Sequence, residues 1–319
     1  MSEGEKVSER VPVVYVGGVG RSGSTLLDLF VGQDPRLFPV GELVHLWDRG
    51  LRNNNRCGTG EPFSDSEFWC QVGEKAFGGW DQVDVDRMAA MKAAVDRNRF
   101  VPQLLTPWSS PGFARDIAAY GEAMAAIYRA VLAVSGASVV VDSSKHISTA
   151  AFLRRVPAID LRVLHLVRDS RGVAFSWTKQ VKMTEVVAGD EEMERLHPVH
   201  SAWRWDCWNS LFTLLGRLGV PSSRLRYEDL ISDPAGAVEK VLDLAGLEGN
   251  CLVVTDDGVK VDPIPSLGGN PSRFRTGTVT VRVDDAWRRE LPGASRVFVT
   301  ALTAPLLAAY GYPIGGGGS

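Results

Sequence analysis

Residues 16 to 25, Val-Gly-Gly-Val-Gly-Arg-Ser-Gly-Ser-Thr, join an apolar run (Val11 to Val16) to a helix-like one (Leu26 to Val31). Strand, glycine loop and helix in that order point backbone N–H groups and a positive helix end at an anion. Gly20, Arg21, Ser22, Gly23, Ser24 and Thr25 are therefore candidate phosphate ligands. The triphosphate-binding pattern G-x-x-x-x-G-K-[ST] overlays on Gly18, Gly23, Ser24 and Thr25, but its lysine is missing and the only cation of the loop is Arg21. A mononucleotide site follows, while phosphoryl transfer from a magnesium-bound triphosphate, which depends on that lysine, is disfavoured.

With Val40-Gly41-Glu42 a short way downstream, Gly-Gly-Val-x-Arg-Ser-Gly-Ser-Thr-Leu-Leu resembles the 5′-phosphosulfate loop of sulfotransferases, most closely the tyrosylprotein and carbohydrate branch. A second segment, Leu161 to Trp177, agrees: an apolar strand ends at Arg168, and Asp169 or Ser170 can cap a helix that carries Ser176. In the family an arginine and a serine at this eight-residue spacing hold the donor's 3′-phosphate. A guanidinium grips phosphate in two places and a hydroxyl adds a third bond. Arg226-Tyr227-Glu-Asp-Leu resembles the segment whose tyrosine lies near the adenine, and Arg273-Phe-Arg275-Thr-Gly277 with Asp285-Ala-Trp287 resembles the late loop that closes over the 3′-phosphate. The resemblance implies 3′-phosphoadenosine-5′-phosphosulfate (PAPS) as donor, its 3′,5′-bisphosphate (PAP) as product, and no metal.

Sulfuryl transfer to a hydroxyl needs a stabilised leaving phosphate, compensated charge on the moving SO₃ and a base. Arg21 is placed for the developing charge. Asp142-Ser-Ser-Lys145 is similar to the family's lysine-bearing loop, so Lys145 shares that role; the other reading makes Asp142 a magnesium-binding acid of a triphosphatase. Glu42, 17 residues after Thr25, is the expected base by resemblance, its plain alternative being an ion pair with Arg21 or Arg49. His45 and His146 are the alternative bases, since a neutral imidazole suits the task. His165, inside an apolar strand, reads as a core residue. Two competing functions remain: a P-loop kinase or ATPase with a displaced lysine, and a nucleotide-binding protein without turnover.

The elements that must position these groups are strands at Val13 to Val16, Val139 to Asp142, Leu161 to Val167 and Arg224 to Tyr227, alternating with helical patterns. Alternation of that kind predicts an α/β, P-loop-like three-layer fold with a mainly parallel central sheet and helical insertions. Residues 80 to 135 are mostly helical in pattern, and residues 201 to 218 form an apolar-striped helix in which Trp205 and Trp208 read as core rather than as an acceptor platform. Lys182 to His200 is either a lid over the acceptor or a solvated loop, and Pro102 to Pro111 is a second loop. The motifs span both ends of the chain, so residues 1 to 314 read as one sulfotransferase domain. Gly315 to Ser319 is a flexible tail of the sort joined on for expression.

A net charge of −3 provides no global field for nucleic acid, so cationic sites must be local. No apolar run in the sequence approaches the roughly 20 residues that span a bilayer. The polar start, Met1 to Arg10, lacks the apolar core of a secretory signal, and a cytoplasmic location is the expectation. Four cysteines define no disulfide framework; Cys57 and Cys70 are expected to be reduced. The expected acceptor is a hydroxyl-bearing small molecule, glycolipid or natural product.

Overall fold

The computed structural model describes residues 10–179 and 195–314. The Lys182 to His200 segment therefore lies largely outside the described residues, as does the Gly/Ser tail. The first half contains β1 (Val11–Gly18), α1 (Ser24–Val31), β2 (Leu37–Gly41), α2 (Glu67–Phe77), α3 (Val85–Val95), α4 (Val101–Leu105), α5 (Pro111–Ser135), β3 (Val139–Lys145) and α6 (Ile147–Leu153). The second contains β4 (Ile159–Val167), α7 (Ser170–Thr178), α8 (Pro198–Arg217), β5 (Ser222–Arg226), α9 (Tyr227–Ser232) and α10 (Pro234–Ala245). A small antiparallel sheet, β6 (Val254–Thr255), β7 (Gly258–Val261) and β8 (Gly277–Val279), precedes α11 (Trp287–Glu290) and α12 (Gly293–Ala309).

Five parallel strands form the central sheet in the order β2-β3-β1-β4-β5. The alternation of side chains across β1 decides the layering. Val11, Val13 and Tyr15 join a core cluster with α2 to α6 and α8, whereas Val14 and Val16 join one with α1, α10 and the small sheet. Both faces are thus covered, which is why the strands read as nearly unbroken apolar runs.

The strands read from sequence do not include β2. Pro39 argues against an interior strand, but β2 is the sheet's edge and one side of it needs no donor. The sequence reading also extends β5 to Tyr227, which instead opens α9. The long helix α5 follows its local signals: Ser110 Oγ accepts from Phe113 N, Pro111 opens the first turn, and Gly136 closes the last in the left-handed region. By length and composition alone α5 could cross a membrane, but its apolar residues, among them Ile117, Met124 and Ile127, lie in the core.

Parallel order brings the carboxyl ends of all five strands to one edge. The segments leaving that edge are the glycine loop after β1, Glu42 after β2, Lys145 and His146 at the end of β3, Arg168 after β4 and Tyr227 after β5. In open α/β sheets this edge is where ligands bind.

Candidate active site

A cavity of about 560 Å³ opens at that edge. Among the residues expected from sequence, Gly20, Arg21, Gly23, Ser24, Thr25, Glu42, His45, Lys145, His146, Arg168, Ser176, Tyr227 and Arg275 line it. The loop holds its shape through backbone conformations that few residues adopt. Gly23 caps α1 at φ 94°, and a Cβ there would lie 2.5 Å from the Tyr227 ring, so only glycine lets the loop and α9 close together. Arg21 takes φ 72° without being glycine. Strain of this sort persists where surrounding structure enforces it.

The Arg21 guanidinium packs over Trp177, 5.1 Å from the ring centroid. Its Nε and Nη2 are buried and have no hydrogen-bond acceptor among the described residues. Burial accordingly pulls its pKa below the usual arginine value. Buried donors without a protein partner are costly and need an explanation, and an anion in the cavity supplies one. The residues present fit a phosphorylated ligand at the loop.

Lys145 ends β3 at φ 67° and turns its ammonium inwards. Nζ donates to Glu42 Oε1 at 2.6 Å, to Ser24 Oγ at 3.1 Å and to the Ser143 carbonyl at 3.0 Å. A lysine from β3 thus reaches the loop hydroxyl, taking up the cationic position that the loop itself lacks. Glu42 binds His45 through its second oxygen, with Nε2 3.3 Å from Oε2. Its pairing with Arg21 or Arg49, the plain alternative from sequence, is replaced by this Lys145 and His45 arrangement. Burial pushes the Glu42 carboxyl up, but Lys145 and His45 outweigh it and hold the group well below the ordinary carboxylate range. His146 stands with its ring 6.1 Å from that of His45, and burial together with His45 pushes its imidazole down to about 4, so it is neutral at pH 7.

At the other end of the cavity Arg168 is 6% exposed and lies over the Tyr227 ring at 4.3 Å. It donates to the Arg21 carbonyl at 3.1 Å, so the end of β4 also braces the loop. Asp169 caps α7 by accepting from Arg171 N, and this helix carries Ser176 and Trp177 to the cavity.

Three expected ligands do not line the cavity. Arg273 is buried and donates to the Arg56 carbonyl at 2.6 Å, bracing the 56 to 62 turn, so Arg275 is the late-loop arginine that faces the site. Gly277 lies in β8, paired with Val261. The Ser22 side chain is buried, its Oγ has no hydrogen-bond partner among the described residues, and it does not line the cavity. Asp142 is enclosed, accepting from Tyr128 and from Ser144, which leaves it no open oxygen facing the cavity. His165 pairs with Asn209 in the core. Trp205 is core as expected, whereas Trp208 also lines the cavity and Trp203 is 62% exposed. Cys57 and Cys70 are free thiols.

Sequence reasoning missed the segment from Leu267 to Ser272, whose only signal is the turn-forming pair Gly268-Gly269. Leu267 bonds to β2, accepting from Glu42 N at 2.6 Å and donating to Val40 O at 2.8 Å, and Asn270 N donates to Thr25 Oγ1 at 3.2 Å. Gly269, Asn270 and Ser272 then form one wall, with Arg49, Trp177, Arg204, Trp208 and Asp284 elsewhere in the lining. Gly41 is tied to this contact: φ is 75°, and a Cβ would stand 2.2 Å from the Leu267 carbonyl. Gly41→Ala is expected to destabilise the fold by about 1–3 kcal/mol and to lower turnover by displacing Glu42. Urea denaturation and an activity assay check it; unchanged stability would mean that the Gly41 and Leu267 backbones can separate freely.

The match to a family model decides the class: residues 12–250 fit the sulfotransferase family. The chain belongs to the sulfotransferase family. No curated protein matches it at the sequence level. Among solved structures, this sulfotransferase is similar to the sulfotransferase domain from the curacin biosynthetic pathway, with TM-score 0.50 and 16% identity over 96% of this chain and 100% of that one. The sulfotransferase domain of the Synechococcus PCC 7002 olefin synthase gives TM-score 0.49 and 18% identity over 98% and 100%. A sulfotransferase from Mycobacterium avium gives 0.48 and 12% over 96% and 78%. At such identities the likeness to the curacin domain speaks to the shared α/β fold alone.

Proposed function

We propose that the chain transfers a sulfuryl group from PAPS to a hydroxyl of a small molecule, carbohydrate or lipid by in-line displacement. The observation that carries this reading is the half-buried Arg21, whose guanidinium has two buried nitrogens, Nε and Nη2, without a hydrogen-bond partner among the described residues, at a cavity that also holds the Ser24–Lys145–Glu42 chain of contacts. Bound PAPS would supply the sulfuryl group as a phosphate–sulfate mixed anhydride. The loop N–H groups, Ser24 and Thr25 hold the 5′-phosphate, while Arg168, Ser176 and Arg275 hold the 3′-phosphate and Tyr227 lies by the adenine. Arg21 and Lys145 compensate charge as the leaving phosphate separates, and preorganised donors of this kind are worth about 10²- to 10³-fold each.

Glu42 is assigned as the base. Lys145 and His45 keep it ionised, so it is in the right charge state but weakly basic. An anionic donor shares the Lys145 ammonium's hydrogen bonds and adds negative charge beside Glu42, and both effects make the carboxylate bind a proton more strongly. A second reading rests on the 3.3 Å contact of His45 with Glu42: the imidazole takes the proton and the carboxylate orients it. The kinase reading has less support, since Asp142, its magnesium-binding acid, is turned to Tyr128 and Ser144. The acceptor class and a cytoplasmic site of action remain part of this proposal.

Arg168→Ala and Ser176→Ala are expected to weaken PAP binding much more than AMP binding. A hydrogen bond to a charged group is worth about 1.5–3 kcal/mol, so loss of the arginine should cost PAP roughly tenfold or more. Calorimetric titration of PAP, AMP and ATP with magnesium, followed by transfer of radiolabelled sulfate from PAPS to an alcohol panel, tests the assignment. Equal losses for PAP and AMP, or tightest binding of ATP with magnesium, would sink it.

A further inference from the structure

Asp284 lies in the irregular segment between β8 and α11, on the Arg168 side of the cavity. Its carboxylate accepts from Arg168 Nη2 at 3.2 Å and from Lys179 Nζ at 3.4 Å, and its carbonyl accepts from Arg168 Nη2 at 3.2 Å. Burial raises the Asp284 carboxyl, but Arg168 and Lys179 outweigh that effect and keep it below the usual range, so it is an anion at neutral pH. The guanidinium assigned to the donor's 3′-phosphate thus already holds a negative group supplied by the chain.

We propose that Asp284 stands in for the 3′-phosphate, and so sets how strongly the enzyme distinguishes nucleotides that carry this group from those that lack it. The inference rests on the PAPS reading above. A phosphate monoester carries up to two charges and three acceptor oxygens, so it can take both cations from a single carboxylate. A 5′-nucleotide with a free 3′-hydroxyl leaves the Asp284–Arg168 pair in place and gains nothing from it. The cost of displacing Asp284 falls on 3′-phosphorylated ligands alone.

The surroundings confine that displacement to a short stretch. On one side Val279 is buried and paired with Val259; on the other Trp287 is buried beneath the Arg171 guanidinium, 4.6 Å from its ring centroid. Residues 280–286 between these anchors have no regular secondary structure, so moving Asp284 breaks few backbone bonds. The carboxylate also offers Arg168 and Lys179 a replacement partner as the product departs. Asp284 therefore weakens PAP binding and speeds its release, returning an anionic partner to the Arg168 guanidinium as the phosphate leaves.

Asp284→Asn keeps the side-chain shape and the backbone bond but removes the charge, and Asp284→Ala removes both oxygens. Titration of PAP and AMP into the wild type and both variants, with stopped-flow dissociation rates, tests the proposal. PAP should bind about tenfold more tightly to both variants, chiefly through slower dissociation, with AMP changed by less than about twofold. PAP affinity that is unchanged or weakened in both, while PAP still outbinds AMP in the wild type, would overturn the role of Asp284 and make it a brace for Arg168. PAP binding no tighter than AMP in all three proteins would overturn the donor reading and this inference together.

Discussion

Lys145→Met should lower kcat for sulfuryl transfer by about 10³-fold, at the upper end of what one preorganised donor contributes, with a much smaller change in KM for PAPS. The size follows from position. Nζ is the only described ammonium in the cavity lining, and it touches both the loop hydroxyl of Ser24 and the Glu42 carboxylate. Its backbone is held at φ 67°, a conformation that lysine does not choose freely. A cation fixed beside the leaving phosphate helps most when charge develops there, which is an effect on kcat rather than on ground-state binding.

A second consequence of Lys145→Met is a change in pH dependence. In the wild type, burial raises the Glu42 pKa but Lys145 and His45 pull it below the ordinary range. Without the ammonium the burial effect loses its largest opponent, so the Glu42 pKa must rise. The residual activity should then fall on acidification at a higher pH than in the wild type. Steady-state kinetics over pH 5 to 9 measures both effects at about six points. A variant with wild-type kcat and only a raised KM would assign Lys145 to donor binding instead.

Glu42→Gln is expected to reduce turnover with an alkyl alcohol by about 10²-fold or more, within the usual contribution of a general base. PAP affinity should survive, because the amide keeps the shape and can still accept from His45 or Lys145. An acidic phenol needs less help in losing its proton, so its turnover should fall less. This difference separates the loss of a base from simple distortion of the site. Should Glu42→Gln stay near wild type with the alkyl alcohol while His45→Ala or His146→Ala abolishes turnover, the proton belongs to a histidine. His146 is neutral at pH 7, but burial and His45 push its pKa down to about 4, so it too would be in the right charge state and weakly basic.

The chain by itself determined the strand, glycine loop and helix at Val11 to Val31, the apolar strand ending in Arg168 and the alternation that implies a parallel sheet. These are local properties. A loop that must present N–H groups needs glycines at fixed positions, and a strand covered on both faces must be apolar almost throughout. The order of the strands is not local, and neither is the edge strand β2, whose Pro39 reads as a break until its place at the rim is known.

Only the tertiary structure decided which charged groups meet. Lys145 and Glu42, separated by 103 residues, meet because parallel strands deliver their carboxyl ends to one edge; Arg168 and Asp284, separated by 116, meet because the segment between β8 and α11 returns to that edge. Arg273 and Arg275 look equivalent in sequence, two residues apart in a single loop. The first sits in the 3-10 turn Pro271–Phe274 and turns to the Arg56 carbonyl, whereas the second follows that turn in extended backbone and faces the cavity. Residue types limit what chemistry a site can perform, and spacing along one element shows what can share a face. Partners contributed by different elements depend on how the sheet is ordered, which no single stretch of the chain records.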